Sequence, residues 1–147
     1  MKFIVSRVED WDVVARAILE PLHPGMAIRL TGPLGAGKTT LVQALAQRLG
    51  VKRIPKSPTF SLMRSYSFPP TIFGLARLIH IDAYRLESVS DAHVLGLDEE
   101  LAGGDTALAV EWAENLGHLL DGLACIDVKI DVDPGDGVRR VSVLFTA

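Results

Sequence analysis

The residues best suited to binding or catalysis lie in the pattern G-x-x-x-x-G-K-T, between Gly32 and Thr39. Glycines let such a loop curl so that its backbone N–H groups, at the start of a helix, bind successive phosphate oxygens. In this pattern the lysine, here Lys38, reaches the β- and γ-phosphates, and the Thr39 hydroxyl suits Mg²⁺. The spacing therefore predicts a site for a nucleoside triphosphate and Mg²⁺. The alternative is a glycine-rich turn before an ordinary helix.

The sequence on either side of this loop fits a phosphate site. Residues 26–32 form a short apolar run of strand length. After the loop, leucines recur every four residues, and Gly50 is a typical helix stop. Strand, glycine loop and helix is the order in which phosphate-binding loops occur. Nucleotide contacts are therefore expected from the loop and the first helical turn: Leu34, Gly35, Ala36, Gly37, Lys38, Thr39 and Thr40.

Two acidic residues are placed to complete the site. Glu111 ends the apolar run A-L-A-V-E, and Asp82 ends the run L-I-H-I-D. Ligands of α/β sheets bind at the carboxyl ends of strands, so Glu111 is a candidate Mg²⁺ ligand in a Walker B arrangement. Considered alone, either acid has an alternative explanation as an ordinary charged residue that faces solvent at the end of a strand. For His80, two residues before Asp82, we expect a packed or hydrogen-bonded side chain, and no zinc site is predicted.

A third candidate lies in the segment K-S-P-T-F-S-L at residues 56–62. Thr59 lies twenty residues beyond Thr39, and nucleotide switches commonly order a threonine at such a place against the γ-phosphate and Mg²⁺. A Ser-Pro-Thr turn that caps the next strand is the structural alternative.

These groups must be positioned by the elements around them. Apolar residues at helical spacing predict a helix after the loop and helical segments in 11–22, 89–101 and 112–120. Apolar runs and alternating patterns predict strands near 3–6, 26–32, 61–68, 78–82, 106–112, 125–132 and 139–145. The predicted fold class is a three-layer α/β domain of the P-loop NTPase type with a mixed sheet.

Length and composition limit the classes of protein to which this chain can belong. With 147 residues, a net charge of −3 and a pI near 5.8, one domain (1–147) is expected, without a general nucleic-acid surface. We therefore expect no DNA binding, and any contact with RNA is expected to be indirect or local. Cys125 is the single cysteine, and the N-terminus is charged too early for a signal peptide. Since no run approaches the roughly 18 apolar residues of a membrane helix, a cytoplasmic protein is expected.

Other classes of phosphate-loop protein fit less well. A guanine-specific switch needs D-x-x-G and N-K-x-D, and the nearest fragment, V-K-I-D at 128–131, has valine in place of the side-chain amide. ATP is therefore expected rather than GTP. A small-molecule kinase usually has an arginine-rich lid, whereas Arg77 and Arg85 only flank the Asp82 strand. A kinase is the second choice, and a nucleotide-dependent binding module without productive hydrolysis stays open as a further alternative.

The chain contains, in order, G-P-L-G-A-G-K-T-T, S-P-T-F-S-L, H-I-D-A-Y-R-L, L-G-L-D-E-E-L and V-E-W-A-E. In order and spacing these stretches resemble the TsaE family, the bacterial ATPase subunit of tRNA threonylcarbamoyladenosine biosynthesis. The most specific parts are residues 80–86 and 110–112. The resemblance implies a cytosolic ATPase that uses ATP and Mg²⁺ and works with two partner proteins. One is the transferase that places threonylcarbamoyl on an adenosine beside the tRNA anticodon, and the other is its paralogous partner.

The resemblance also implies roles for individual residues. Lys38 and Thr39 would bind phosphate and Mg²⁺. Glu111 would be the second Mg²⁺ ligand, and Thr59 would be the switch threonine. Asp82 corresponds to the family's essential aspartate, which either holds a metal-bound water or orients the attacking one.

The resemblance further implies base contacts near Val8 and from an arginine close to the C-terminus. Arg139 and Arg140 are the candidates, and Arg140 is our choice. Two features depart from the family. Pro33 stands where the family usually has Asp, and the connection at 67–77 is longer than usual.

Trp112 follows Glu111 directly. In a regular strand its side chain would point away from that of Glu111 and pack in the core. The resemblance allows it instead to support the site or a partner surface.

Overall fold

The computed structural model describes residues 1–52, 63–84 and 96–146. Within them the chain forms a seven-stranded sheet with helices packed on it. The strands are β1 (Lys2–Val5), β2 (Ala27–Thr31), β3 (Met63–Ser67), β4 (Arg77–Asp82), β5 (Thr106–Glu111), β6 (Cys125–Val132) and β7 (Arg139–Thr146). The helices are α1 (Trp11–Leu19), α2 (Lys38–Leu49) and α3 (Leu97–Ala102), and short 3₁₀ turns occur at Val8–Asp10 and Ala113–Leu116.

The strand order in the sheet is β1-β7-β6-β2-β5-β4-β3. The four central strands, β6, β2, β5 and β4, are parallel to one another. The outer strands β3, β7 and β1 each pair antiparallel with a neighbour. The α/β fold with a mixed sheet, predicted from the sequence, is therefore confirmed. Because parallel strands bring their carboxyl ends to one edge, the residues that follow β2, β4 and β5 meet there.

Helices α1 and α2 cover one face of the sheet, where their apolar stripes pack on the central strands. Helix α2 starts at Lys38, directly after the glycine loop, and stops at Gly50, whose φ of 92° suits a helix end. Helix α1 ends at Leu19, three residues before the predicted end at 22. The reason is Pro21, which lacks the N–H that would continue the helix.

The opposite face carries a second apolar cluster, to which α3 and the segment after β5 contribute. The helix predicted in 112–120 is only the 3₁₀ turn Ala113–Leu116, because Gly117 follows with a φ of 60° and ends it. No helix in the described ranges is long and apolar enough to cross a membrane.

Two predicted elements extend beyond the described residues. The strand predicted at 61–68 is present as Met63–Ser67, and residues 61–62 lie outside the described ranges. The helical segment predicted in 89–101 is present as Leu97–Ala102, and residues 89–95 lie outside. Strand β6 has the bounds that the sequence predicts.

Candidate functional site

The register of the sheet brings the predicted acids next to the glycine loop. Glu111 pairs with Leu30 of β2 on one side and with Asp82 of β4 on the other. Strand β2 then leads into the loop at Gly32. Ala109 lies in the cluster under α1 and α2, so Glu111, two residues later, points to the same face. The site therefore lies at the carboxyl edge of the sheet, beside the first turn of α2.

Neighbouring elements hold the glycine loop at two points. At Gly37 the φ is 110°, and a Cβ there would lie 2.4 Å from the ring of Trp11. Trp11 is the first residue of α1 and is buried. A Cβ on Gly32 would lie 2.7 Å from the carbonyl oxygen of Ile130 in β6. Because neither position has room for a side chain, α1 and β6 fix the path of the loop.

Lys38 is buried, and the loop itself binds its ammonium group. The Nζ atom donates to the carbonyl oxygens of Gly32 and Pro33 at 2.5 and 2.9 Å. It also lies 4.2 Å from the centroid of the Trp112 ring, which is a cation–π distance. Burial lowers the pKa of the Lys38 ammonium, and the negative charge of Glu111 opposes that shift. A cation held by carbonyl oxygens and a ring can still attract a phosphate.

Glu111 contacts two polar side chains. The Thr39 hydroxyl oxygen lies 3.0 Å from each carboxylate oxygen of Glu111. The Nε2 atom of His80 lies 2.5 Å from Oε2 of the same carboxylate. Glu111 and His80 are 4% and 0% exposed. The predicted Mg²⁺ ligands Thr39 and Glu111 thus lie in direct contact, and His80 is a packed, hydrogen-bonded side chain, as predicted.

Asp82 lines the same cleft in a more open position than Glu111. Its side chain is half-buried, and Oδ1 accepts a hydrogen bond from the N–H of Tyr84 at 3.0 Å. The chain leaving β4 is also held by Asn115, whose side-chain amide donates to the carbonyl of Ala83 at 2.8 Å. The two neighbouring acids therefore have different surroundings: Glu111 is enclosed, and Asp82 borders the open cleft.

Trp112 combines the two roles that the sequence left open: it packs against the apolar cluster on the opposite face of the sheet, and its ring also lines the cleft. Strand β5 ends at Glu111, and Trp112 leaves it with a φ of 57°, so the alternation of a strand does not extend to it. Positive φ is uncommon outside glycine and is often found at functional sites. The ring lines the cleft, where it contacts Lys38 and lies 5.0 Å from the Tyr84 ring between centroids.

The cleft between these groups has a volume of about 480 Å³. Ten residues predicted for the site line it: Val8, Leu34, Gly35, Ala36, Gly37, Lys38, Thr39, Thr40, Asp82 and Glu111. Thr59 lies outside the described residues.

Of the two arginines predicted as candidates for a base contact, the structure places Arg139 on the cleft and not Arg140, which was our choice. Within the described ranges Arg139 lines the cleft and Arg140 does not, because consecutive residues of β7 point to opposite faces. Arg139 donates to the carbonyl oxygens of Gly35 and Ala36 at 3.1 and 3.3 Å. It therefore ties the last strand to the glycine loop.

Sequence reasoning missed Trp11 as a residue of the site. It lines the cleft and supports Gly37. In the sequence, an aromatic residue on the apolar face of a helix is indistinguishable from any other core residue. The spacing of residues therefore could not identify Trp11 as part of the site.

Comparison with known proteins adds sequence and structural relatives. Residues 5–141 match the sequence model of the family described as threonylcarbamoyl adenosine biosynthesis protein TsaE. The TsaE protein of Bacillus subtilis is 37% identical over 121 residues, covering 82% of this chain and 69% of the relative. That of Streptomyces coelicolor is 36% identical over 132 residues, covering 88% and 86%. The crystal structure of YdiB from Bacillus subtilis matches with a TM-score of 0.72 and 30% identity, covering 100% of this chain and 84% of that one.

Proposed function

This chain belongs to the TsaE family of tRNA threonylcarbamoyladenosine biosynthesis, and we propose that it binds and hydrolyses ATP with Mg²⁺ as a subunit of the modifying assembly. The observation that carries the proposal is the contact between the Thr39 hydroxyl and the Glu111 carboxylate beside the glycine loop. It places two oxygen donors suited to Mg²⁺ next to a loop suited to phosphate.

Phosphate binding is assigned to the glycine loop and Lys38, as in P-loop proteins. The loop leads directly into α2, and the first N–H groups of a helix have no partner within the helix, so they can donate to phosphate oxygens. Lys38 would exchange the carbonyl oxygens of Gly32 and Pro33 for the β- and γ-phosphates. The exchange is favourable because hydrogen bonds between charged groups are stronger than those to neutral carbonyls.

Mg²⁺ binding is assigned to Thr39 and Glu111. Mg²⁺ is usually held by one or two protein groups together with water and phosphate oxygens. Within the described ranges no group of three or more His, Cys, Asp or Glu side chains could hold a metal, so these donors suit a metal shared with the nucleotide. When bound, Mg²⁺ neutralises charge on the β- and γ-phosphate oxygens.

Asp82 is assigned to the attacking water. Asp82 borders the cleft and is half-buried, whereas Glu111 is enclosed beside Thr39 and His80. A carboxylate in that place can orient a water molecule and accept its proton. Thr59 is proposed as the switch threonine on the strength of the family's pattern.

The nucleotide base is assigned to the end of the cleft formed by Val8 and β7. Val8 lines the cleft and is 73% exposed, so it offers apolar surface to a base ring. Arg139 is proposed as the arginine there, in place of Arg140. Since the sequence contains no N-K-x-D, we expect tighter binding of ATP than of GTP when both are titrated into the protein with Mg²⁺. Equal or tighter GTP binding would show that the base site is misassigned.

We propose that ATP hydrolysis drives repeated rounds of the partner transferase, acting with its paralogous partner in the cytoplasm. The net charge of −3 favours tRNA contact through those partners. The test is to count rounds of tRNA modification by the reconstituted assembly with ATP and with a non-hydrolysable analogue. A single round with the analogue would support the proposal. Many rounds would instead favour a binding module whose hydrolysis is incidental.

A further inference from the structure

His80 lies in the middle of the sheet and yet makes a polar contact with the site. It is fully buried on β4, and its Nε2 atom lies 2.5 Å from Oε2 of Glu111. The contact runs between neighbouring strands, because His80 pairs in register with Ala109, two residues before Glu111. Glu111 is therefore held from β4 as well as from α2, where Thr39 contacts it.

The two ring nitrogens of His80 have different surroundings. A carboxylate only accepts hydrogen bonds, so the contact with Glu111 requires the proton of the His80 ring to be on Nε2. The Nδ1 atom is buried and has no hydrogen-bond partner among the described residues. A buried polar atom without a partner destabilises a fold, and an apolar side chain of similar size would avoid that penalty. The contact with Glu111 is thus what the imidazole contributes at this position.

We propose that His80 is a positioning residue that holds the Glu111 carboxylate against Thr39 and thereby sets the affinity for Mg²⁺. The inference rests on the proposed function, in which Thr39 and Glu111 bind that ion. A glutamate side chain has several rotatable bonds, and fixing it before the ion arrives removes an entropic penalty from binding. Among the described residues, the Oε1 atom of Glu111 accepts a hydrogen bond only from the Thr39 hydroxyl. This oxygen therefore still has a lone pair with which to bind a metal ion.

The main experiment compares His80→Leu with His80→Gln. Leucine fills a similar volume without a donor, and the glutamine amide can donate from about the position of Nε2. ATP affinity is measured by calorimetry over a series of Mg²⁺ concentrations and in EDTA. His80→Leu is expected to need roughly 10- to 100-fold more Mg²⁺ for half-maximal tightening of ATP binding. Its ATP affinity in EDTA should stay within a few-fold of the parent, and His80→Gln should recover most of the Mg²⁺ response.

A matched control separates positioning from packing. Leu78 lies on the same strand and face, is fully buried, and belongs to the apolar cluster under the helices. Leu78→Ala should lower the melting temperature, because it opens a cavity, and should leave the Mg²⁺ requirement unchanged. If Leu78→Ala raises the Mg²⁺ requirement as much as His80→Leu does, general loosening of the core explains the effect and the inference is wrong.

A second readout needs no metal. In protein labelled with ¹⁵N-histidine and free of Mg²⁺, the Nε2 atom of His80 should carry a proton, and Glu111→Ala should shift that signal. A proton on Nδ1 alone would overturn the inference, since Nε2 could not then donate.

The Mg²⁺ series also separates a failure of the proposed function from a failure of the role assigned to His80. If parent ATP affinity does not respond to Mg²⁺, the proposed function fails and the inference fails with it. If the parent responds and His80→Leu responds at the same Mg²⁺ concentrations, only the inference fails.

Discussion

Two polar clusters on neighbouring strands of the sheet are built in different ways. Arg29 of β2 and Asp127 of β6 are register partners that form two hydrogen bonds, at 2.5 and 2.7 Å. Both side chains are about one-third exposed, at 32% and 34%. In the site, the Glu111 carboxylate is enclosed and contacts a hydroxyl and an imidazole, while Lys38 donates to loop carbonyls.

The difference lies in how charge is compensated. The Arg29–Asp127 pair brings opposite charges into direct contact while both side chains remain partly exposed to water. Each charge is therefore compensated without a ligand. In the site, the buried acid is hydrogen-bonded to a hydroxyl and an imidazole, and the buried ammonium group to carbonyl oxygens, with the charge of Glu111 acting on Lys38 only from a longer distance. Burial of charge is unfavourable unless it is paired. Mg²⁺ beside Glu111 and phosphate beside Lys38 would each place an opposite charge in direct contact with the buried group. Changes in the site should therefore affect ligand binding far more than changes in the pair.

The largest effect is expected from Lys38→Ala. Removing the ammonium group takes away the only side-chain cation proposed for the phosphates, so ATP binding and turnover should both fall, with turnover lower by roughly 10³-fold or more. Calorimetric ATP affinity and a phosphate-release rate measure the two. Lys129→Ala, an exposed lysine on β6, serves as the control and should behave like the parent. Near-parent turnover of Lys38→Ala would show that the cleft is not the phosphate site.

Glu111→Ala should separate metal binding from phosphate binding. ATP affinity in EDTA should remain close to the parent, whereas the tightening by Mg²⁺ and the hydrolysis should be lost. Glu114→Ala, which changes an exposed glutamate three residues further on, is the control. Melting curves are needed as a check for unfolding, because the substitution leaves His80 without its hydrogen-bond partner. If Glu111→Ala hydrolyses ATP at the parent rate, Asp82 becomes the leading metal ligand.

Substitution of Asp82 should lower turnover without the loss of Mg²⁺-dependent ATP binding expected for Glu111→Ala. Asp82→Ala should leave ATP affinity within a few-fold of the parent while turnover falls by roughly 10²-fold. Asp82→Asn keeps an acceptor for the N–H of Tyr84 and loses the charge. An equal loss of turnover in Asp82→Asn would assign the effect to water activation. Recovery in Asp82→Asn would instead indicate that the residue only holds the turn after β4.

The smallest effect is expected at the Arg29–Asp127 pair. The coupling between Arg29→Ala and Asp127→Ala should be only about 0.2–1 kcal/mol, because water screens a pair that is one-third exposed. A double-mutant cycle of urea unfolding measures it, with turnover recorded alongside. Turnover should match the parent in all three variants. A loss of turnover, or a coupling well above that range, would contradict the contrast between the two clusters.

The sequence predicted the site where local chemistry decides structure. A glycine loop, a following helix and apolar strand patterns are readable within a dozen residues, so α2 and its stop at Gly50 were predicted. Strand β6 was predicted to the residue because its side chains alternate. The strand was predicted to continue to Trp112, whereas β5 ends at Glu111 and the Trp112 ring both packs on the second apolar cluster and lines the cleft. The role of Thr59 stays a prediction.

Only the tertiary structure decided which distant groups touch. The sequence by itself determined the candidate donors Thr39 and Glu111 and the α/β class. It could not determine that their oxygens lie 3.0 Å apart, that His80 holds the same carboxylate, or that Trp11 packs on Gly37. These contacts depend on the register between β4, β5 and β2 and on how α1 sits on the sheet. Register and packing are set by the whole apolar core, and a local pattern along one strand does not encode them.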